Sequence, residues 1–274
     1  MDRIAELLNK EEFPRASTYD YTWAVKHQMG PNALWLTEWL TEEISLQPGM
    51  RVLDLGCGKG ISSAFLAKEF GVQVWAADLW ISPETILGRA AETDTLDLVH
   101  PLKAEAHALP FPEGFFDAAL SVDAYQYFGT DVLYLGYLAR FVKQNGRIGI
   151  AVPGLMEPIC DVPQHLCIPQ SSGKVFWEEE CWCFKTAQWW REHWSRSSSV
   201  VNVQADTLQD GWKHWRDFEM AVEASGHALF PSDAEALEKD QGRYLGFIRV
   251  TASRSQFTAE DLYNPSLGKE AGVE

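Results

Sequence analysis

The sequence predicts an α/β fold built on a doubly wound, largely parallel sheet. Three observations carry that expectation. Short apolar runs alternate with helical stretches between residues 51 and 154, and a βαβα series implies parallel strands joined by right-handed crossovers. The first run, Val52 to Leu55, leads straight into the glycine-rich turn Gly56-Cys57-Gly58-Lys59-Gly60. The second run ends in an acid, Asp78, about twenty residues past that turn, where a strand-end carboxylate is placed to accept ribose hydroxyls.

Each element has its own local reason. Residues 1–46 read as an N-terminal helical segment: Pro31 suits a helix start, and Leu34, Trp35, Leu36, Trp39 and Leu40 make an apolar face that fits the sheet edge. Residues 14–21, with Tyr19 and Tyr21, read either as a lid over a bound ligand or as a surface connection. A helix follows the glycine turn and stops at Gly71. Residues 72–77 form the second strand, 83–93 a helix, 96–103 the third strand and 115–122 the fourth. The next helix is expected over 131–144, closed by Asn145-Gly146, and the fifth strand over 147–152, ended by Pro153-Gly154.

From residue 155 to about 186 the periodicity breaks, and an irregular insertion of that length is usually functional rather than connective. Helices are expected again over 187–194, 211–224 and 233–239, and strands over 200–205 and 244–251. Seven of the twelve tryptophans fall between Trp177 and Trp215, which marks either an acceptor pocket or the core of a cap. The helical spacing of Trp189, Trp190 and Trp194 favours a core. The domains expected are thus 1–46, a possible lid; 47–154, a nucleotide-binding core; 155–195, a cap or acceptor insert; 196–255, completion of the sheet; and a polar tail, 256–274.

A net charge of −16 argues against a nucleic-acid groove, which needs clustered Lys and Arg. No apolar run approaches the ~18 residues of a membrane helix, and the first ten residues lack a secretory layout, so a cytoplasmic protein is expected. The five cysteines are odd in number and unevenly spaced, which suits neither a disulfide framework nor a zinc site, and no metal is expected.

Ligand identity turns on glycine spacing. A dinucleotide fingerprint would put its third glycine where Ile61 stands, whereas here it falls one residue early, at Gly60. With Asp54 two residues before Gly56, the pattern acid-x-G-x-G-x-G resembles the first motif of class I S-adenosylmethionine (SAM) methyltransferases, and the small N-terminal helices and late tryptophan-rich insert resemble the bacterial small-molecule type. The resemblance covers residues 47–154 by motif and extends to 251 by the order of elements. It implies seven strands with the last antiparallel, SAM as cofactor and S-adenosylhomocysteine (SAH) as product. It also assigns cofactor contacts to Asp54, Gly56, Cys57, Gly58, Gly60 and Asp78. Leu79 and Trp80 would flank the adenine; Glu105, Ala106 and His107 would line its edge, with Glu105 where the family more often has Asp. Ser121, Asp123, Tyr125 and Gln126 leave the carboxyl end of the fourth strand, the ligand-facing edge of such sheets, and are the first candidates for contact with methionine or acceptor, Ser121 and Asp123 as cofactor-binding residues.

The reaction so implied is direct, in-line methyl transfer to a small molecule. Tyr19, Tyr21, Tyr125, Gln126, Tyr127 and Trp177 are the candidate acceptor-pocket residues, and aromatic rings beside acids such as Glu178 favour an amine. His165 and Tyr125 are the candidate catalytic groups. Oxygen, carbon or sulfur acceptors stay open, as do a non-catalytic SAM sensor, aminopropyl transfer and a nicotinamide enzyme. The acceptor, the oligomeric state and the use of a general base are not fixed by these residues.

Overall fold

The computed structural model describes residues 3–257 and 263. Its centre is a seven-stranded sheet in the order β3-β2-β1-β4-β5-β7-β6. The strands are β1 (Arg51–Leu55), β2 (Gln73–Asp78), β3 (Val99–Lys103), β4 (Phe116–Val122), β5 (Val142–Leu155), β6 (Val200–Thr207) and β7 (Leu245–Arg254). β1 to β5 pair in parallel, and β7 runs antiparallel to both β5 and β6. The strand order reverses between β1 and β4, and ligands of open α/β sheets bind outside the carboxyl ends at that switch point. Gly56 and Asp123 are the first residues past those two ends.

Alternate side chains of each strand feed two cores, as a sheet covered on both faces requires. Val52, Val74 and Leu120 pack with α1 (Arg3–Leu8), α3 (Ala33–Glu42), α4 (Ile61–Phe70), α5 (Pro83–Glu92) and α8 (Gly211–Ser225). Leu53, Leu55 and Ala119 pack with α6 (Tyr134–Phe141) and α7 (Ala187–Ser195). Local chemistry sets the helix ends. Asp20 caps α2 (Tyr21–His27), Asn32 caps α3 through the amides of Leu34 and Trp35, and Ser82 caps α5 ahead of Pro83. α4 ends on Gly71 at φ +63°, a left-handed conformation that glycine adopts without strain.

Two boundaries differ from the sequence expectation. α6 stops at Phe141, because Val142 pairs with Phe116 and opens β5 ahead of an irregularity in the register. β5 then continues through Pro153 and Gly154, opposite Phe247 and Gly246, to Leu155. Pro153 falls in the gap between the last β4 pairing, Val122 with Ala151, and the bridge of Leu155 to Thr186, a position without a ladder partner on that side that tolerates a proline.

Residues 14–21 lie away from the sheet's ligand edge. The backbone amides of Arg15 and Ala16 donate to Glu38 on α3 at 2.9 and 2.7 Å. Tyr19 is buried against Phe65, and its hydroxyl donates to Glu69 at the C-terminal end of α4, opposite the glycine turn. Tyr21 packs on the same core from the start of α2. Of the expected tail, residues 258–262 and 264–274 lie outside the described residues, while the Tyr263 hydroxyl bonds Asp131. No helix among the described residues is long and apolar enough to cross a membrane.

Candidate active site

A cavity of about 970 Å³ opens at the switch point. One half is built by β1, β2 and the glycine turn. Gly56 and Gly58 hold φ of +74° and +53°, so the turn doubles back tightly after β1. A Cβ on Gly56 would run into that of Ala124, and one on Gly58 would lie 3.1 Å from the Met29 sulfur. The backbone here is therefore stripped of side chains on the side that faces the cavity.

Two carboxylates fix this half, each tied to its own neighbourhood, with one Asp54 oxygen buried and without a hydrogen-bond partner among the described residues. Asp54, wholly buried, accepts the hydroxyls of Ser62 and Ser63 at 2.7 and 2.6 Å, tying β1 to the first turn of α4. Burial pushes its carboxyl up to about 6, the serine hydroxyls pull it back, and Asp78 adds to the rise. Asp78 accepts the Gly58 amide at 2.9 Å on one oxygen, and the Trp80 and Ile81 amides at 2.8 and 2.9 Å on the other. Each oxygen of an ionised carboxylate has about two acceptor sites, so the oxygen facing Gly58 keeps capacity for a ligand hydroxyl. Leu79 and Trp80 border the cavity beside it, and Trp80 is 75% exposed, which leaves its ring face free.

The other half is assembled from distant segments. Asp123 stands at the end of β4 with φ +51°, a strained value for a residue with a side chain. One of its carboxylate oxygens accepts from Gln126 at 3.1 Å, and the other abuts Gly30, where any Cβ would collide with it. Phe176, Glu178, Glu180 and Phe184 come from the insert, Trp215 and Glu219 from α8, and Phe230 and Asp233 from the loop before α9 (Ala234–Asp240). Lys174 bonds both oxygens of Asp233 at 3.1 and 3.4 Å. Glu219 accepts the Asp233 amide at 3.2 Å. Burial pushes both Asp123 and Glu219 up to about 7, and the negative charge of Glu219 adds to the rise at Asp123. Residues 28–31 bridge the halves: Lys59 reaches the Gln28 carbonyl at 3.2 Å, and the Gln28 amide group reaches the His227 carbonyl at 3.4 Å.

The structure brings Gly56, Cys57, Gly58, Asp78, Leu79, Trp80, Glu105, Ala106, Asp123 and Tyr127 to this one cavity. Several expected site residues do other work. Asp54 supports the turn from below, Gly60 begins α4 against Ile86, and Ser121 ties β4 to β1 by donating to the Leu55 carbonyl at 2.7 Å. Glu105 is turned toward His107, accepting from its backbone amide and pairing with its ring, each at 2.8 Å. His107 itself sits among Phe128, Tyr134 and Tyr263. Tyr125 is not at the cavity: it is 0% exposed and packs on Trp190 and Trp194, with centroids 5.8 and 5.7 Å away. Gln126 is buried beneath Asp123, and Trp177 packs edge-on against Trp182. Tyr19 and Tyr21 lie with the N-terminal core. His165 is held 2.8 Å from Asp240, whose other oxygen accepts the Tyr244 and Leu245 amides, so it fastens the insert to the start of β7 rather than facing a substrate.

Sequence reasoning missed Gly30, Lys174, Trp215 and Glu219. For Glu219 a signal existed: it sits four residues after Trp215 and three before Val222, on the apolar stripe of α8, where an acid is out of place. All five cysteines are free, and no group of three or more His, Cys, Asp or Glu among the described residues is disposed to hold a metal ion.

With this geometry in hand, comparison with known proteins is direct. Residues 52–146 match the family model described as a methyltransferase domain, and residues 5–86 match that of protein-L-isoaspartate(D-aspartate) O-methyltransferase. Over 108 residues the chain is 38% identical to the 2-methyl-6-phytyl-1,4-hydroquinone methyltransferase of a Synechocystis strain, covering 39% of this chain and 33% of that protein. Over 89 residues it is 39% identical to the 18S rRNA (guanine(1575)-N(7))-methyltransferase of Saccharomyces cerevisiae, covering 31% and 30% respectively. The chain thus spans about a third of the length of these relatives. Among solved structures, the SAM complex of phosphoethanolamine N-methyltransferase 2 from Haemonchus contortus superposes with a TM-score of 0.65 at 17% identity, over 92% of this chain and 60% of that one. At that identity the likeness is one of fold.

Proposed function

We propose that the chain, whose residues 52–146 match a methyltransferase-domain family model, is a class I SAM-dependent methyltransferase that transfers a methyl group directly to a small-molecule acceptor, with an amine nitrogen as the accepting atom. The observation that carries the reading is the continuity of one cavity from the glycine turn and Asp78 to Asp123 and the aromatic walls beyond. The residues present fit SAM. Gly56 and Gly58 offer bare backbone, Asp78 has acceptor capacity for the ribose, Trp80 has a free ring face for the adenine, and Glu105 and Ala106 border the same half.

When bound, SAM supplies a methyl carbon on a sulfonium, and the acceptor's lone pair bonds to that carbon as its bond to sulfur breaks, leaving SAH. The chain's own contribution is placement. Asp54 and Asp78 hold the turn rigid from both sides, and the insert and α8 wall the acceptor against it. Fixing two reactants in line contributes up to about 7–11 kcal/mol of the barrier. Acids along the cavity also favour a cationic ligand, and none of them need form a covalent bond. His165 and Tyr125 have no part in this arrangement.

The carboxylate-lined acceptor half supports nitrogen over a phosphorylated or RNA acceptor, since Lys174 is already committed to Asp233 and the chain carries −16 overall. Oxygen, carbon or sulfur acceptors are the alternative. Calorimetry with SAM and with SAH tests the cofactor: micromolar binding of both is expected, weakened by about 2–4 kcal/mol in Asp78→Ala if the ribose contacts are lost. Unchanged affinity in that variant sinks the ribose assignment.

A further inference from the structure

The geometry points to an ammonium site in the acceptor half: Glu219 and Asp123 hold the charged head of a primary or secondary amine, one of these carboxylates takes its proton so that the nitrogen lone pair is free to accept the methyl group, and an apolar rim covers its hydrocarbon body. This rests on the methyl-transfer reading above and deepens it by naming the acceptor class. Two independent observations meet here.

The first is a pair of carboxylates with no cation of their own. The charged groups facing the acceptor half are Asp123, Glu178, Glu180, Glu219, Asp233 and Lys174. Lys174 is spent on Asp233, and Lys59, from the glycine turn, points its ammonium at the Gln28 carbonyl. Among the described residues neither Asp123 nor Glu219 forms an ion pair, both line the cavity, and the charge of Glu219 is felt at Asp123. Desolvated like charges are expensive unless a counter-ion joins them. The fold also aims one of them deliberately. Asp123 keeps a left-handed backbone, and Gly30 leaves room for its carboxylate and nothing more.

The second is the rim. Among the described residues fourteen large apolar side chains are exposed, and six of these border this single cavity: Met29, Leu79, Trp80, Tyr127, Leu229 and Phe230. Leu79 and Trp80 belong to the cofactor half, which leaves Met29, Tyr127, Leu229 and Phe230 around the acceptor. Exposed apolar side chains gathered at one mouth mark a binding surface. At about 970 Å³ the cavity lies at the top of the range for one small ligand, so it has room for a second molecule beside the cofactor. A cationic head with an apolar body satisfies both features; a sugar phosphate or a nucleotide satisfies neither.

The test is calorimetry on the full chain saturated with SAH, titrated with 2-phenylethylamine and n-octylamine and with the matching alcohols. At least one amine should bind at least about tenfold tighter than its alcohol. Glu219→Gln should abolish most of that preference while leaving SAH affinity unchanged, and Asp123→Asn provides a second, independent variant. The preference should also grow from pH 6 to pH 8. The amine stays protonated over that window while Glu219 and Asp123, both held near 7 by burial, become ionised; Asp233, Lys174, Glu178, Glu180, Tyr127 and Cys183 are the other titrating groups that face them. SAH binding with no amine preference in the wild-type protein, or a preference untouched in both variants, overturns the inference alone. Failure of SAH to bind overturns the methyl-transfer reading and this inference with it.

Discussion

The two halves of the cavity treat their acids in opposite ways. In the cofactor half, Asp54 and Asp78 receive five hydrogen bonds from two serine hydroxyls and three backbone amides. In the acceptor half, Asp123 receives one from Gln126, and Glu219 accepts from the Asp233 amide and the Trp215 side chain. The first half is braced by hydrogen bonds from its own chain. The second leaves two acids without an ion-pair partner among the described residues, and under the proposal above a ligand supplies it. The difference teaches that local hydrogen bonds fix one half, whereas the other half leaves its acids open.

The sharpest way to break the comparison is to disturb the completed half. Gly56→Ala forces a side chain into a left-handed backbone at φ +74° and drives its Cβ into that of Ala124. The turn must then move, and SAH affinity should fall on the order of a hundredfold, or about 2.8 kcal/mol, by calorimetry. Retention within threefold would mean that the turn's close backbone approach has nothing to do with the ligand.

A smaller effect, of opposite sign, belongs to the incomplete half. Glu219 and Asp123 are raised in the folded chain to about 7 from ordinary carboxylate values. The folded state therefore binds protons more readily than the unfolded one, so the contribution to stability is favourable at low pH and is lost as pH rises through about 7. Glu219→Gln removes the charge that makes this so. Without ligand, its melting temperature should exceed wild type at pH 8, by roughly 2–4 °C for each kcal/mol recovered, and match or fall below it at pH 5. A gain at pH 5 and none at pH 8 would show that Glu219 is not a desolvated acid.

The same contrast decides what could be read from the sequence. The cofactor half was legible because one local segment builds it: strand, turn, helix cap, next strand, acid, with every partner within about thirty residues. The sheet's parallel part followed from the same alternation, and the antiparallel last strand came from the family resemblance, while the placement of β7 between β5 and β6 was not read from the sequence. α6 was overextended because the helical pattern runs on through Val142, where pairing with Phe116 prevails over local propensity. The acceptor half was mostly illegible because Gly30, Asp123, Lys174 and Glu219 meet only after long crossovers. Tyr125 was misplaced for a finer reason. The 3-10 turn over Tyr125–Tyr127 rotates successive side chains, so Asp123 and Tyr127 face the cavity while Tyr125 turns down onto Trp190 and Trp194. Tyr19 went to Glu69 and Lys68 on α4, contacts that no local pattern announces.

The mildest test separates a ligand contact from structure within the completed half. Trp80 follows Asp78 directly, and at 75% exposed it contributes little burial to the fold. Trp80→Ala should therefore leave the unfolding free energy of the ligand-free protein within about 0.5 kcal/mol of wild type. If its ring lies on the adenine, SAH affinity should drop by about 1–3 kcal/mol, the scale of base–aromatic stacking. Trp182, also more than half exposed but outside the cavity lining, is the matched control, and its alanine variant should leave SAH affinity unchanged. Equal affinities for Trp80→Ala and wild type would move the adenine off this wall. Asp78 would then be the only strand-end side chain of β2 that the cofactor reads, and the six-residue rim would become one continuous apolar mouth serving the acceptor alone.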